Sequence, residues 1–98
     1  MIKAFVRAPR YYGSMGVPRK KLPDVGVAIR HFRYEAGLSQ DGLADRMDVS
    51  PSYISMLESG KRYPSIEMLI RLAVALDIPP GTLLDYIAER YLRKKEES

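Results

Sequence analysis

The 98-residue chain contains no cysteine. That excludes disulfides and thiolate-bound zinc, and it leaves packing as the source of stability. There is one histidine, His31, with no carboxylate cluster at metal-ligand spacing around it, so a helix-surface role is favoured over metal ligation. No nucleophile, base and orienting group can be assembled around a single imidazole, and the glycines are scattered rather than gathered into a phosphate-cradling loop. Neither an enzyme nor a cofactor is expected. No apolar run approaches the ~18 residues that would span a bilayer, and the charged N-terminal start lacks the apolar stretch of a secretion signal. The expectation is a cytoplasmic protein with no membrane association. Acidic residues are missing from one region only. Residues 1–23 carry six basic side chains and no acid, a charge of +6, whereas residues 24–98 carry ten basic against twelve acidic, a charge of −2. The whole basic surplus of the chain therefore lies in its first quarter.

With 46% hydrophobic and 29% charged residues, the chain fits the soluble globular class, and its length suits one core with an appendage. The appendage is residues 1–23. Pro9, Gly13, Gly16, Pro18 and Pro23 interrupt it, so most of it reads as an irregular arm, with a short strand over Ile2–Val6. The remaining residues, 24–98, form the expected domain. A first helix is predicted over 24–36, with Asp24 as its cap, Val25, Ile29, Phe32 and Ala36 pointing inward, and Gly37 as its stop. After a loop at 61–64, Ser65 should cap a helix whose Ile66, Leu69, Ile70, Ala73 and Leu76 form the buried stripe. Pro79 and Pro80 break the chain before a last helix, expected over about 80–95. Its Leu83, Leu84 and Ile87 finish the core, and its terminal RKKEES is a solvated end.

The most informative stretch is 39–60, SQDGLADRMDVSPSYISMLESG. Ser39 and Ser50 can each accept a hydrogen bond from a first-turn amide that lacks an intrahelical partner. Pro51 suits the first position of the second helix, where its missing amide hydrogen is no loss. Asp48 stands where the chain must reverse, a tolerable second choice to glycine for a left-handed residue. Leu43, Ala44 and Met47 share one face of the first helix, and Ile54 and Leu57 share one face of the second. Gly60 should close the second helix, with Ser52, Tyr53, Ser55 and Met56 largely on outward faces. Two short amphipathic helices joined by a tight turn read as a helix-turn-helix over residues 40–59.

On the segments IRHFRYEAGLSQDGLA, VSPSYISMLESGKRYPS and LIRLAVALDI, in that order, residues 25–84 resemble the Cro/CI-type, lambda repressor-like domain of the XRE family of regulators. The resemblance implies an all-α, five-helix DNA-binding domain. Here it carries a basic N-terminal arm and an extended last helix. Two positions depart from the family pattern: Gly42 stands where an acidic helix former is common and Asp48 where glycine is common. Each should lower stability by up to roughly 1 kcal/mol.

The resemblance places the helix that starts at Gln40 across a phosphate backbone and the one that starts at Pro51 in the major groove. Gln40 would then meet a phosphate, while Pro51, Ser52, Tyr53, Ser55 and Met56 face the groove. Lys61, Arg62 and Tyr63 resemble the family's phosphate-contacting loop, which fixes register without reading sequence. Arg33 and Glu58 match an internal ion pair of phage repressors, a structural role. No Arg, Asn or Gln lies on the second helix, so bidentate base readout is poorly supplied. Specificity would rest on Ser52 and Tyr53 hydrogen bonds, on Met56 against thymine methyl groups, and on DNA shape. Asp41, Asp45 and Asp48 oppose phosphate binding. Arg7, Arg10, Arg19, Lys20 and Lys21 of the arm could offset them along the duplex or in a minor groove, although an arm that is disordered or mediates oligomerisation fits the same residues.

The expected function is sequence-specific transcriptional regulation on double-stranded DNA, with a homodimer on a palindromic operator. Leu84, Ile87, Ala88, Tyr91 and Leu92 extend an apolar stripe along the last helix and are the candidate dimer interface. The alternative is a protein-interaction module, antitoxin-like or a regulatory partner, built on the same scaffold. The operator and the sign of regulation cannot be read from the sequence.

Overall fold

Among the described residues, serine hydroxyls start three of five helices. The structure is a computed structural model that describes residues 24–97, with side chains to Arg93. The helices are α1 (Asp24–Glu35), α2 (Gln40–Met47), α3 (Pro51–Ser59), α4 (Ile66–Ala75) and α5 (Pro80–Glu97). Ser39 Oγ accepts from the Gly42 amide at 2.9 Å, Ser50 Oγ from Tyr53 at 3.2 Å, and Ser65 Oγ from Met68 at 3.0 Å. Each bond satisfies an amide that the helix cannot satisfy itself. Among the described residues there is no strand, and the architecture is the all-α, five-helix one of a lambda repressor-like domain. The arm, with Arg7, Arg10, Arg19, Lys20, Lys21 and the strand expected over Ile2–Val6, lies outside the described residues.

The chain leaves helices through left-handed residues. Asp48 has φ 58° and Asp77 φ 62°. After Asp48 the amide of Val49 reaches back to the Ala44 carbonyl at 3.0 Å, and after Asp77 that of Ile78 reaches Ala73 at 3.0 Å. These are the long return bonds of a Schellman ending. The sequence pattern located the exit at Asp48 but not the one at Asp77, where Pro79 and Pro80 were the visible signal.

The core is formed by Val25, Ala28 and Ile29 of α1, Leu43, Ala44 and Met47 of α2, Ile54 and Leu57 of α3, Leu72 and Ala73 of α4, Leu76, and Leu83 and Ile87 of α5. α1 packs on α3 and α5, α2 on α3 and α4, and α4 on α5. At Gly26 of α1, a Cβ would stand 2.3 Å from the Glu58 carbonyl oxygen and 2.7 Å from that of Leu57. Only glycine lets α1 meet the main chain of α3 this closely.

Several inward assignments need correction. On α1, Ala28 is buried, Ala36 is exposed and Phe32 is half-buried. Phe32 sits at the margin of the core in an aromatic group with His31 and Tyr86. The His31 ring stacks on Tyr86 at 4.7 Å between centroids, so it is half-buried rather than a plain surface residue. Asp24 falls inside the first turn instead of before it, and its buried carboxylate accepts from Arg90 Nε at 3.1 Å. On α4, Ile66 and Ile70 are exposed and Leu72 is buried in their place. Nearly every position of that helix is apolar, so its periodicity did not single out the inner face. Helix α5 runs to Glu97, two residues beyond its expected end.

Candidate nucleic-acid interface

Helix α3 is held from below and open above. Ile54, Leu57 and Glu58 are buried beneath it, whereas Pro51, Ser52, Ser55 and Ser59 are exposed. Tyr53 and Met56, expected largely on outward faces, are half-buried. Tyr53 lies four residues before Leu57, at the edge of the buried stripe, and packs against the core. Its ring also lies 5.8 Å below the Arg62 guanidinium, within cation–π range. The loop after α3 is pinned by the Arg62 amide, which donates to the Met56 carbonyl at 3.1 Å, and Lys61, Arg62 and Tyr63 are exposed on it. The loop is thereby held beside the C-terminal end of α3.

The tilt of α3 against α1 and α2 is set by a buried polar network. Arg33 Nε and Nη2 donate to Glu58 Oε2 at 2.6 Å and Oε1 at 3.0 Å, a bidentate pair, and Arg33 Nη1 donates to the Leu38 carbonyl at 2.9 Å. Gln40 Nε2 donates to Glu58 Oε1 at 3.0 Å. The Glu58 side chain has no exposure to solvent. Burial alone would push its carboxyl group upward. The hydrogen bonds from Arg33, Gln40 and Arg30, with the charge of Arg33, outweigh that and hold it below its ordinary value. Arg33 is raised chiefly by its hydrogen bond to Glu58. One carboxylate thus ties together α1, the first residue of α2 and α3.

This network takes up the side-chain amide of Gln40, a residue expected to meet a phosphate through its main-chain amide or its side chain. The main-chain amides of Gln40 and Asp41 still precede the first intrahelical bond, which Leu43 makes to Ser39 at 3.0 Å. Arg30 was missed. Its Nε lies 3.4 Å from Glu58 Oε1 and its side chain is 50% exposed, so a half-solvated guanidinium shares an acceptor with the Gln40 amide. Its position three residues before Arg33 on the same helix was the available signal. Asp41, Asp45 and Asp48 are exposed along α2 and its turn. Among the described residues no group of His, Cys, Asp or Glu could hold a metal ion, and no helix is long and apolar enough to cross a membrane.

Along α5, Leu84 is 51% exposed and does not finish the core as expected, and Ala88, Tyr91 and Leu92 are half-buried. Ile87 is enclosed at 4% exposure, one turn after buried Leu83. It is a core residue and is withdrawn as an interface candidate.

Two capped helices joined through a left-handed residue, braced by α1, define a helix-turn-helix domain. The helix-turn-helix family profile matches residues 29–83, and the chain belongs to that family, in its Cro/CI-type (XRE) branch. The HTH-type transcriptional regulator SinR of Bacillus subtilis (strain 168) is 37% identical over 62 residues, 62% of this chain and 56% of SinR. The match therefore spans little more than half of that relative. Among solved structures, the clp gene regulator ClgR from Corynebacterium glutamicum superposes with a TM-score of 0.70 at 33% identity, over 82% of this chain and 87% of ClgR. The biofilm master regulator SinR, solved in complex with DNA, superposes with a TM-score of 0.56 at 36% identity, over 61% of this chain and 97% of that one.

Proposed function

We propose that the protein is a sequence-specific transcriptional regulator that binds a palindromic operator in double-stranded DNA as a homodimer. The observation that carries the proposal is the free side of α3. Ser52 and Ser55 project from a helix anchored on its other side by Ile54, Leu57 and Glu58, with exposed Lys61 and Arg62 at its end. A helix with small polar residues outward fits a major groove, and flanking cations suit the phosphates on either side. The solved complex of SinR with DNA supports the same use of the domain. Arg30 and the main-chain amides at the start of α2 supply a second line of phosphate contacts. The arm cations Arg7, Arg10, Arg19, Lys20 and Lys21 add to the electrostatic term, which the acidic charge of residues 24–98 would otherwise leave small.

Ser52 and Ser55 offer single hydrogen bonds, and half-buried Tyr53 and Met56 offer little more. Base discrimination is accordingly modest per contact and supplemented by DNA shape. Selection of bound duplexes from a random library tests this. A two-fold symmetric site with half-sites about 10 base pairs apart is expected, with affinity falling steeply as salt rises. Selection that yields no enriched duplex, or binding insensitive to salt, would refute the proposal.

A further inference from the structure

Helix α4 presents a second apolar face that the monomer does not use. Leu72 and Ala73 lie in the core, while Ile66, Ile70 and Val74 are 76%, 47% and 69% exposed. Spaced four residues apart, they form one stripe along the solvent side of the helix. Single exposed apolar residues need no explanation, but a continuous row marks an interaction surface. The neighbouring arginines are turned onto main-chain carbonyl groups. Arg46 Nη1 donates to Ala75 at 2.9 Å, and Arg71 Nη2 donates to Met47 at 2.8 Å. Both cations are thereby anchored along the seam between α2 and α4. They border a hollow of about 220 Å³ that Met47, Ile70, Val74 and Ala75 complete. The stripe thus has Ile66 protruding at one end, and at the other the hollow opens beside Val74, between α2 and α4.

We propose that a second copy of this chain docks on the stripe, α4 against α4, about a two-fold axis near Ile70. A two-fold contact requires a surface complementary to itself. A knob and a hollow at opposite ends of one stripe meet that requirement, because the rotation brings each Ile66 to the other protomer's hollow. The charges agree with the shape. Glu67, exposed beside Ile66 in the first turn of α4, comes to the border of the hollow where the other protomer's Arg46 and Arg71 lie, and symmetry repeats the pairing. Helix α5 is less suited, since among the described residues Leu84 is its one exposed large apolar side chain. The inference rests on the homodimer of the proposed function and locates its interface.

Sedimentation of the full chain, with circular dichroism as the folding control, tests this surface. Ile66→Glu and Val74→Glu should each weaken dimerisation by about tenfold or more. Their helical signal should match that of the wild type, because both side chains are largely exposed already. Leu84→Glu should leave the dimer intact. As the chain has no cysteine, Ile70→Cys provides an independent readout. Near a two-fold axis its two copies fall within the ~7 Å Cα separation that a disulfide tolerates, so mild oxidation should yield a covalent dimer. A dimer that survives both glutamate variants, or one in which Ile70→Cys does not cross-link, overturns the proposal. A wild-type chain that remains monomeric up to about 1 mM overturns it together with the homodimer. Specific duplex binding by such a monomer would leave the DNA-binding reading standing.

Discussion

The two halves of the domain are held together by different means. Where α1, α2 and α3 meet, the geometry is set by directional contacts: a buried carboxylate with donors from Arg33, Gln40 and Arg30, and a main-chain approach at Gly26 that admits no Cβ. Where α4 and α5 close the core, Leu72, Ala73, Leu76, Leu83 and Ile87 make apolar contacts that specify volume more than orientation, and directional bonds from Arg46, Arg71 and Arg90 join them only at the margin. Helix α3, the proposed recognition helix, belongs to the first half and the unused apolar stripe to the second. The side proposed to present side chains to DNA has a polar lock. The other side tolerates an apolar surplus.

The sharpest way to break this contrast is to remove one member of the lock. Glu58→Ala leaves Arg33 buried without its partner and should destabilise the fold by ~3–5 kcal/mol, read as a drop in the midpoint of thermal or denaturant unfolding. Arg33→Met combined with Glu58→Leu removes both charges and should cost less than the sum of the two single changes. The network also predicts an acid dependence. The folded-state value of Glu58 lies below its ordinary 4.5, so its contribution is complete above that value and is lost as pH falls through the lower folded value. Thermal midpoints measured from neutrality down to about pH 3 should therefore fall less steeply for Glu58→Gln than for the wild type, from a lower starting point. Parallel curves would show that the carboxylate contributes nothing through its ionisation.

A smaller effect is expected at Gly26. Its Cβ would meet main-chain atoms of α3, which cannot rotate away, so Gly26→Ala should cost ~1–3 kcal/mol as the helices are pushed apart. Gly81, near the start of α5, has nothing within 4 Å of an added Cβ. Gly81→Ala should be neutral or slightly stabilising through helix propensity. Equal effects at the two positions would mean that the α1–α3 approach is not tight in solution.

The same contrast explains what could be read in advance. The helix-turn-helix, its serine caps and the exit at Asp48 were legible because each depends on a residue type with few alternative uses: a hydroxyl before a helix, a proline at its first position, an αL-tolerant residue at its end. The inner face of α4 was not legible. In IEMLIRLAVA an apolar side chain fits inward in more than one register, and packing against α2 and α5 decided which. Gly26 passed as an ordinary helical residue because its significance lies in a contact with the α3 main chain, some thirty positions away. At the candidate interface, the outward placement of Ser52 and Ser55 followed from helical spacing. The half-burial of Tyr53 and Met56, and the capture of the Gln40 amide by Glu58, depend on how the helices cross.

The finest distinction between the halves lies in their two left-handed aspartates. Asp48 and Asp77 have nearly the same φ, 58° and 62°, and each is followed by the same return hydrogen bond, so the backbone strain at the two positions should be alike. Replacing either with glycine should stabilise the fold by up to about 1 kcal/mol, since glycine adopts this conformation without the Cβ penalty. Their electrostatic settings differ. Asp48 sits in the turn leading into α3, where on the proposed function a negative charge would oppose a phosphate backbone, and Asp77 sits at the end of α4. Asp48→Gly and Asp48→Asn should both tighten duplex binding and steepen its salt dependence by about one phosphate's worth, whereas Asp77→Gly should change stability alone. Asparagine removes the charge while remaining tolerant of the left-handed conformation, so it separates the electrostatic effect from the conformational one. If Asp77→Gly tightened duplex binding as much as Asp48→Gly, the gain would come from stability, and the turn before α3 would not lie beside DNA.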